Sequence, residues 1–336
     1  MDYEVSPDYM PISPSALRTD TTVGCDIYIL AKTSIEVRFV LYCKSDAVFD
    51  EEKKSMLLSK RIKKLFIKKG EKQAFFTYLE NNFQKIVSDS SIPSDERTRI
   101  VHSSATNLVK DLFEDPRSGS IERTKTFANN MVDYVLMDTM AAESLLLLKI
   151  AVHEYSTYTH SVNVAAVGTL FGQDLGLGVT DLKGLCAGIL LHDVGKTRIS
   201  TDILNKNGKL TKEEFEEIKK HPEYGADVLN ETSTEYKEEL IVTLQHHEND
   251  DGSGYPYGLK KDEIHPCGKI SRIIDVYDAL TSTRSYKDAL RPFASLLEMK
   301  ENMLHCFDAE LFKEFIRFLG PYDPRKKSRK TDKWST

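Results

Sequence analysis

The chain has 336 residues, 40% of them hydrophobic and 29% charged, with 46 basic against 52 acidic side chains for a formal charge of -6. That length exceeds what a single core of roughly 250 to 300 residues fills, so one large and one small domain are expected, and the apolar content excludes wholesale disorder. The acidic balance provides no field for wrapping DNA or RNA, and no apolar run approaches the roughly 18 residues needed to cross a bilayer.

Residues 1 to 20 hold Asp2, Glu4, Asp8 and three prolines without an apolar core, unlike a secretory signal, so a cytoplasmic protein is expected. Asp26 to Leu30 and Ile35 to Tyr42 are rich in Ile, Val, Phe and Tyr at strand spacing and read as a hairpin. Glu51 to Leu65 and Glu71 to Val87 carry helical spacing, with Gly70 as a stop between them. The basic run Lys60, Arg61, Lys63, Lys64, Lys68 and Lys69 reads as a solvated face.

A Ser/Pro connection at Ser91 to Ser94 precedes two helices, Asp95 to Phe113 and Ile121 to Ile150, broken at Asp115, Pro116 and Gly119. From there the pattern is helical: Ser161 to Phe171, Asp181 to His192, Lys212 to His221, Glu235 to His247, Cys267 to Leu280, Ala294 to Phe307 and Ala309 to Leu319. Thr211 with Glu214 predicts a capping box. The glycines at 172, 176 and 178 follow a helix instead of a strand, so they read as a helix C-cap and turn, not as a dinucleotide fingerprint. The fold class is therefore mainly α: a small α+β domain with a helical linker over residues 1 to 120, an all-α domain over 121 to 324, and a basic disordered tail over 325 to 336. Five cysteines, odd in number and without a CxxC pair, argue against a disulfide framework or a thiolate zinc site.

Six of nine histidines fall between residues 160 and 265. His192 with Asp193, and His246 with His247, close apolar helices, and His221 is expected to end the capped helix before Pro222. His160 sits near the start of another helix, and Asp275 interrupts the apolar face of Ile270, Ile273, Ile274 and Tyr277, where a lone carboxylate would cost several kcal/mol. Five imidazoles and two carboxylates without a thiolate suit iron or manganese better than a closed tetrahedral zinc. Two divalent transition ions per chain, bridged by Asp193, fit the ligand count and leave positions for water and an anionic substrate such as a phosphodiester.

Leu191-His192-Asp193-Val194-Gly195-Lys196, followed by His246-His247-Glu248-Asn249-Asp250-Asp251-Gly252-Ser253-Gly254-Tyr255-Pro256, resembles the HD-GYP family, a bacterial branch of the HD-domain metal-dependent phosphohydrolases. The likeness runs from about Glu154 to about Leu319. It implies an all-helical HD-type metallohydrolase domain and hydrolysis of cyclic di-GMP to linear pGpG and/or GMP by water activated at a bi- or trinuclear metal centre. His160, His192, Asp193, His221, His246, His247 and Asp275 match the family's metal ligands. Lys196 matches its lysine beside the scissile phosphate, Arg284 and Lys287 its phosphate-contacting basic residues, and Gly252, Tyr255 and Pro256 its signature loop. Ser156 stands where the family has a tyrosine or a third-metal glutamate, which implies two metals instead of three. Asp250 and Ser285 also depart from the pattern, and Phe307-Asp308 lacks the family's preceding glycine.

Two other readings stand beside the phosphodiesterase: a receptor that binds cyclic di-GMP with little turnover and signals through residues 1 to 120, and an HD phosphohydrolase of another nucleotide. The N-terminal part, without ligand cluster or nucleophile, reads as a regulatory or protein-partner-docking module; the sequence leaves the oligomeric state open.

Overall fold

A computed structural model describes residues 7–32, 37–138, 144, 156–206, 208–232, 237–283 and 289–320. The chain forms two compact units that divide at Ser104/Ala105.

In the first unit a four-stranded antiparallel sheet contains β1 (Tyr9–Ile12), β3 (Ile27–Lys32), β4 (Val37–Cys43) and β6 (Leu65–Lys68) in the order β1-β6-β3-β4. β2 (Thr21–Thr22) and β5 (Val48–Phe49) form a separate ribbon. The expected hairpin is present: Leu30 pairs with Phe39 and Tyr28 with Leu41. Alternation along β3 sends Ile27 and Ile29 into the core, where Phe75, Phe76, Tyr78 and Leu79 of α2 (Lys72–Asn81) pack with Leu65 and Ile67. α1 (Glu51–Ser59) is capped by Asp50, whose carboxylate accepts the Lys53 N–H at 2.9 Å.

The helix expected to reach Leu65 stops at Ser59. Arg61 turns the chain with a φ of +52°, and Leu65, Phe66 and Ile67, buried on both sides, enter the sheet as β6. A run of three buried apolar residues satisfies a central strand better than one face of a helix. The helix expected over Glu71 to Val87 breaks at Asn82 into α2 and α3 (Phe83–Val87).

The second unit is helical: α5 (Ser118–Met137), α6 (Thr157–Asp174), α7 (Val179–Leu191), α8 (Thr201–Leu204), α9 (Lys212–Ile218), α10 (His221–Thr232), α11 (Lys237–Gln245), α12 (Pro266–Thr281), α13 (Pro292–Asn302) and α14 (Ala309–Leu319). α4 (Ser94–Glu114) runs through the division point, which lies ahead of the boundary expected at residue 120. α6 is buried without a break from His160 to Gly172 and packs on α7 and α12; α7 packs in turn on α5 and α11. Leu112, Ile121, Leu191, Val194, Val228 and Leu229 share one apolar cluster. Phe171, Tyr277 and Phe315 meet edge to face at ring-centroid distances of 5.2 and 5.3 Å.

The Thr211/Glu214 capping box forms reciprocally at 3.2 and 2.7 Å. The glycine-bearing segment after α6 is a helix C-cap, with Gly176 at φ +85° and the Leu177 N–H returning to the Gly172 carbonyl. The helix expected to reach Ile150 ends at Met137, where Asp138 is extended; the stretch from 139 to 150, apart from Ser144, and the tail from Arg325 lie outside the described residues. All five cysteines are buried and free. Among the described residues no helix is long and apolar enough to cross a membrane.

Candidate metal centre

α7 and α11 deliver side chains at their C-terminal ends, α10 at its N-terminus, and α6 and α12 along their inner faces. His192 and Asp193 follow α7, and His246 and His247 follow α11. His221 was expected to close a helix; instead α9 ends at Ile218 and His221 opens α10, because Pro222 fits a first helical turn and cannot continue a preceding one. His160 lies in the first turn of α6. There Ser156 is the N-cap of a capping box, accepting the Thr159 N–H at 3.1 Å while Thr159 Oγ1 accepts the Ser156 N–H at 2.9 Å.

These seven side chains converge. Ligand atoms of His221, His246 and His247 lie within 4.8 Å of one another, as do those of His160, His192 and Asp275, and those of His192, Asp193 and His246. His192, His221 and His246 donate Nδ1–H to the backbone carbonyls of Ile189, Ile218 and Thr243 at 2.6, 2.8 and 2.9 Å. That leaves each Nε2 as a bare lone pair, and those of His221 and His246 face each other at 3.0 Å. Two acceptors at that distance repel unless a proton or cation sits with them. Asp193 Oδ1, 3.3 Å from His221 Nε2, is buried without a hydrogen-bond partner. Facing unprotonated imidazoles and an orphaned buried carboxylate oxygen are the donor set a divalent cation satisfies, so the residues fit the expected metals.

The electrostatics agree with that fit. Burial, against the pull of Asp193, pushes His221 down to about 4, and burial with neighbouring imidazoles holds His246 and His247 well below the ordinary histidine range. Burial alone would raise Asp193, but His192, Lys196 and His221 hold it well below the usual carboxylate range. Asp275, also opposed by burial, is held low chiefly by its bond to His160. His160 is the exception: despite complete burial, Asp275 and Asp278 raise it to about 9.

Lys196, on the 3-10 turn Val194–Arg198 just after Asp193, places Nζ 2.6 Å from Asp193 Oδ2 with a quarter of its side chain open to solvent. The Tyr255 ring stacks on His247 at 4.6 Å, and its N–H reaches the His247 carbonyl; Pro256 follows across a cis peptide bond. Gly252 sits three residues before Tyr255 with φ +84°, its backbone against Lys260. Arg284 and Lys287 lie outside the described residues. Asp250 pairs with Lys269 at 3.4 Å, and Lys269 also reaches Asp308, the N-cap of α14, at 3.2 Å.

Three polar supports were not singled out from the sequence. Asp278 is fully buried and accepts His160 Nδ1–H at 2.7 Å; its signal was the i,i+3 spacing from Asp275 on one helix face. Glu248, also buried, accepts the N–H groups of Tyr257 and Leu259 at 2.8 and 2.9 Å and so anchors the loop. Arg272 bonds Asn249 Oδ1 at 3.0 Å and reaches toward Asp275 Oδ2 at 3.9 Å. The partners of Glu248, and Asn249 as partner of Arg272, sit at separations set by loop closure, which local spacing does not report. His265 stays outside the centre as the N-cap of α12.

A family model for the HD domain matches residues 136–311. A cyclic di-GMP phosphodiesterase from Pseudomonas aeruginosa is 34% identical over 222 residues, 66% of this chain and 53% of the relative. The 3'3'-cGAMP-specific phosphodiesterase 3 of Vibrio cholerae is 30% identical over 244 residues, 70% of this chain and 51% of the relative. The chain thus spans about half the length of the curated relatives it matches. An HDG"Y"P protein from Bdellovibrio bacteriovorus has the same fold, with a TM-score of 0.64 at 21% identity over 93% of this chain and 99% of that one. With the His192-Asp193 pair at the hub of the cluster and the matched segment covering more than half of the residues, the chain belongs to the HD domain family.

Proposed function

We propose that the protein is a phosphodiesterase that opens cyclic di-GMP to linear pGpG and/or GMP, using two divalent transition ions, iron ahead of manganese. The observation that carries this reading is the pair of facing imidazole lone pairs beside the orphaned Asp193 oxygen. His160, His192 and Asp275 would hold one ion and His221, His246 and His247 the other, with Asp193 between them. When bound, such ions supply Lewis acidity toward a phosphoryl oxygen and an acidified water.

The chain's own residues do the rest. Lys196 offers a point charge at the solvent-facing edge of Asp193, placed to oppose negative charge gathering on phosphorus substituents. The stacked Tyr255, with Pro256 and the Gly252 turn, forms the wall against which a planar or sugar moiety would lie, and Arg284 and Lys287 would meet the phosphates. Residues 1 to 120 would regulate or dock a partner, and a nucleotide messenger as substrate suits a cytoplasmic setting. The receptor reading drew on Ser156, which has structural employment here as a helix cap; Asp250, on which with Ser285 the other-nucleotide reading drew, is an ion-pair partner of Lys269.

The test is product chromatography with protein purified anaerobically, reloaded with iron or manganese, and given cyclic di-GMP or 3'3'-cGAMP in parallel. Turnover of cyclic di-GMP that stops on chelation and returns with metal is expected. Faster cleavage of 3'3'-cGAMP would reassign the substrate, and no cleavage of either by protein holding two ions would overturn the enzyme reading.

A further inference from the structure

Resting on the metal-centre reading above, we propose that Asp278 is a positioning residue that makes the two cation positions unequal, by holding His160 as the strongest imidazole donor of the set. His192, His221 and His246 each give Nδ1–H to a neutral carbonyl of the turn that precedes them. His160 gives it to a carboxylate: Nδ1 is 2.7 Å from Asp278 Oδ2, while Nε2 points at Asp275 Oδ1, 3.0 Å away. The two aspartates are one helical turn apart on α12, so a single face of that helix grips both edges of one ring. Asp278 is wholly buried, and its Oδ2 also accepts from Ser282 Oγ at 3.4 Å.

A carboxylate that accepts the distal N–H fixes the tautomer and increases electron density at the ligating nitrogen, beyond what a neutral carbonyl achieves. His160 belongs to the group with His192 and Asp275, which also contains a carboxylate of its own. The group of His221, His246 and His247 has three imidazoles, with Arg272 3.4 Å from His247 Nδ1. Two features favour the His160 position, a charged support behind its imidazole and the carboxylate of Asp275 among its donors, whereas Arg272 lies near both groups, 3.9 Å from Asp275 Oδ2 as well as 3.4 Å from His247 Nδ1. It fills first and holds its ion more tightly. Isolated burial of Asp278 would be unfavourable without such a partner, which is why the residue and the ring are placed together.

The experiment is calorimetric titration of the demetallated full chain with Mn2+, paired with electron paramagnetic resonance. The unaltered protein should bind two ions in two phases separated by about tenfold or more in affinity, and show a spin-coupled pair when both are filled. Asp278→Asn keeps the shape and an acceptor but removes the charge. It should weaken the tight phase about 10- to 100-fold, leave the weak phase in place, and give an uncoupled single-ion spectrum at Mn2+ concentrations that fill both positions of the unaltered protein. His221→Gln should do the converse, removing the weak phase and sparing the tight one, and it tests the assignment even if the Asp278 variant does not fold. Equal phases in the unaltered protein, an Asn variant with both affinities intact, or loss of the tight phase in His221→Gln would each overturn the proposal. A protein that takes up no Mn2+ at all would overturn the metal centre itself.

Discussion

Asp193 and Lys196 sit three residues apart and touch, yet the structure gives them different work. Asp193 is buried, with one oxygen against Lys196 and the other toward His221 without a hydrogen bond. Lys196 is partly open and makes its contact to the carboxylate alone among the candidate ligands. Asp193→Ala is therefore expected to abolish binding of both ions, because it removes the charge shared by the two donor groups. Lys196→Ala should keep both ions and lower turnover by about 100-fold or more, the scale of removing one preorganised charge stabiliser. Elemental analysis beside product chromatography separates the two; equal metal loss in both variants would make Lys196 a structural counter-ion.

At the scale of elements, the centre depends on the 3-10 turn Val194–Arg198 lying flat against the start of α10. Gly195 makes that approach possible. A Cβ there would stand 2.0 Å from the His221 carbonyl oxygen and 2.3 Å from the Gly225 nitrogen, both backbone atoms that no side-chain rotation can clear. Gly195→Ala must push the turn carrying Asp193 and Lys196 away from the helix carrying His221. The expected loss is about 1 to 3 kcal/mol of stability, in line with overpacking, together with reduced metal content. Thermal unfolding with and without Mn2+ reads both, and a variant with unchanged melting and full occupancy would show that the turn is free to yield. The signature loop is held in a similar manner by backbone bonds to Glu248, so its shape follows from a buried carboxylate and not from its glycines alone.

For the whole molecule, the two compact units set where the chain divides. Leu112, on the portion of α4 assigned to the second unit, is fully buried in the cluster with Ile121, Leu191, Val194, Val228 and Leu229, directly behind the His192-Asp193 pair. A fragment from Ala105 onward should fold and bind two ions with affinities within a few-fold of the full chain. A fragment from Ile121 loses Leu112 together with the buried Ala105, Leu108 and Val109, and should be less stable by more than the roughly 1.5 to 3 kcal/mol that burying one large apolar side chain contributes. Chemical denaturation of the two fragments checks this. If the longer one folds but takes up no metal, residues before 105 contribute to the centre and the assignment of chemistry to the second unit fails.

The candidate cluster was legible in the sequence because its signals are local: paired His-Asp and His-His dipeptides at the ends of apolar helices, and a carboxylate interrupting the Ile270 to Tyr277 face. The same holds for the β3–β4 hairpin and the Thr211 capping box, whose patterns span only a few residues. What local pattern could not decide was anything settled by partners distant in sequence. Leu65 to Lys68 has no helix-breaking residue ahead of it, and became a strand because β1 and β3 were there to bond it. Asp278 reads as an ordinary polar residue until α6 brings His160 against it across 118 positions. Ser156 reads as a missing ligand until it is seen capping α6. Sequence determined which side chains are competent to bind metal, since that is a property of their chemistry. The tertiary structure decided which ring nitrogen each presents and what stands behind it, since a tautomer is fixed by the atom that accepts its proton.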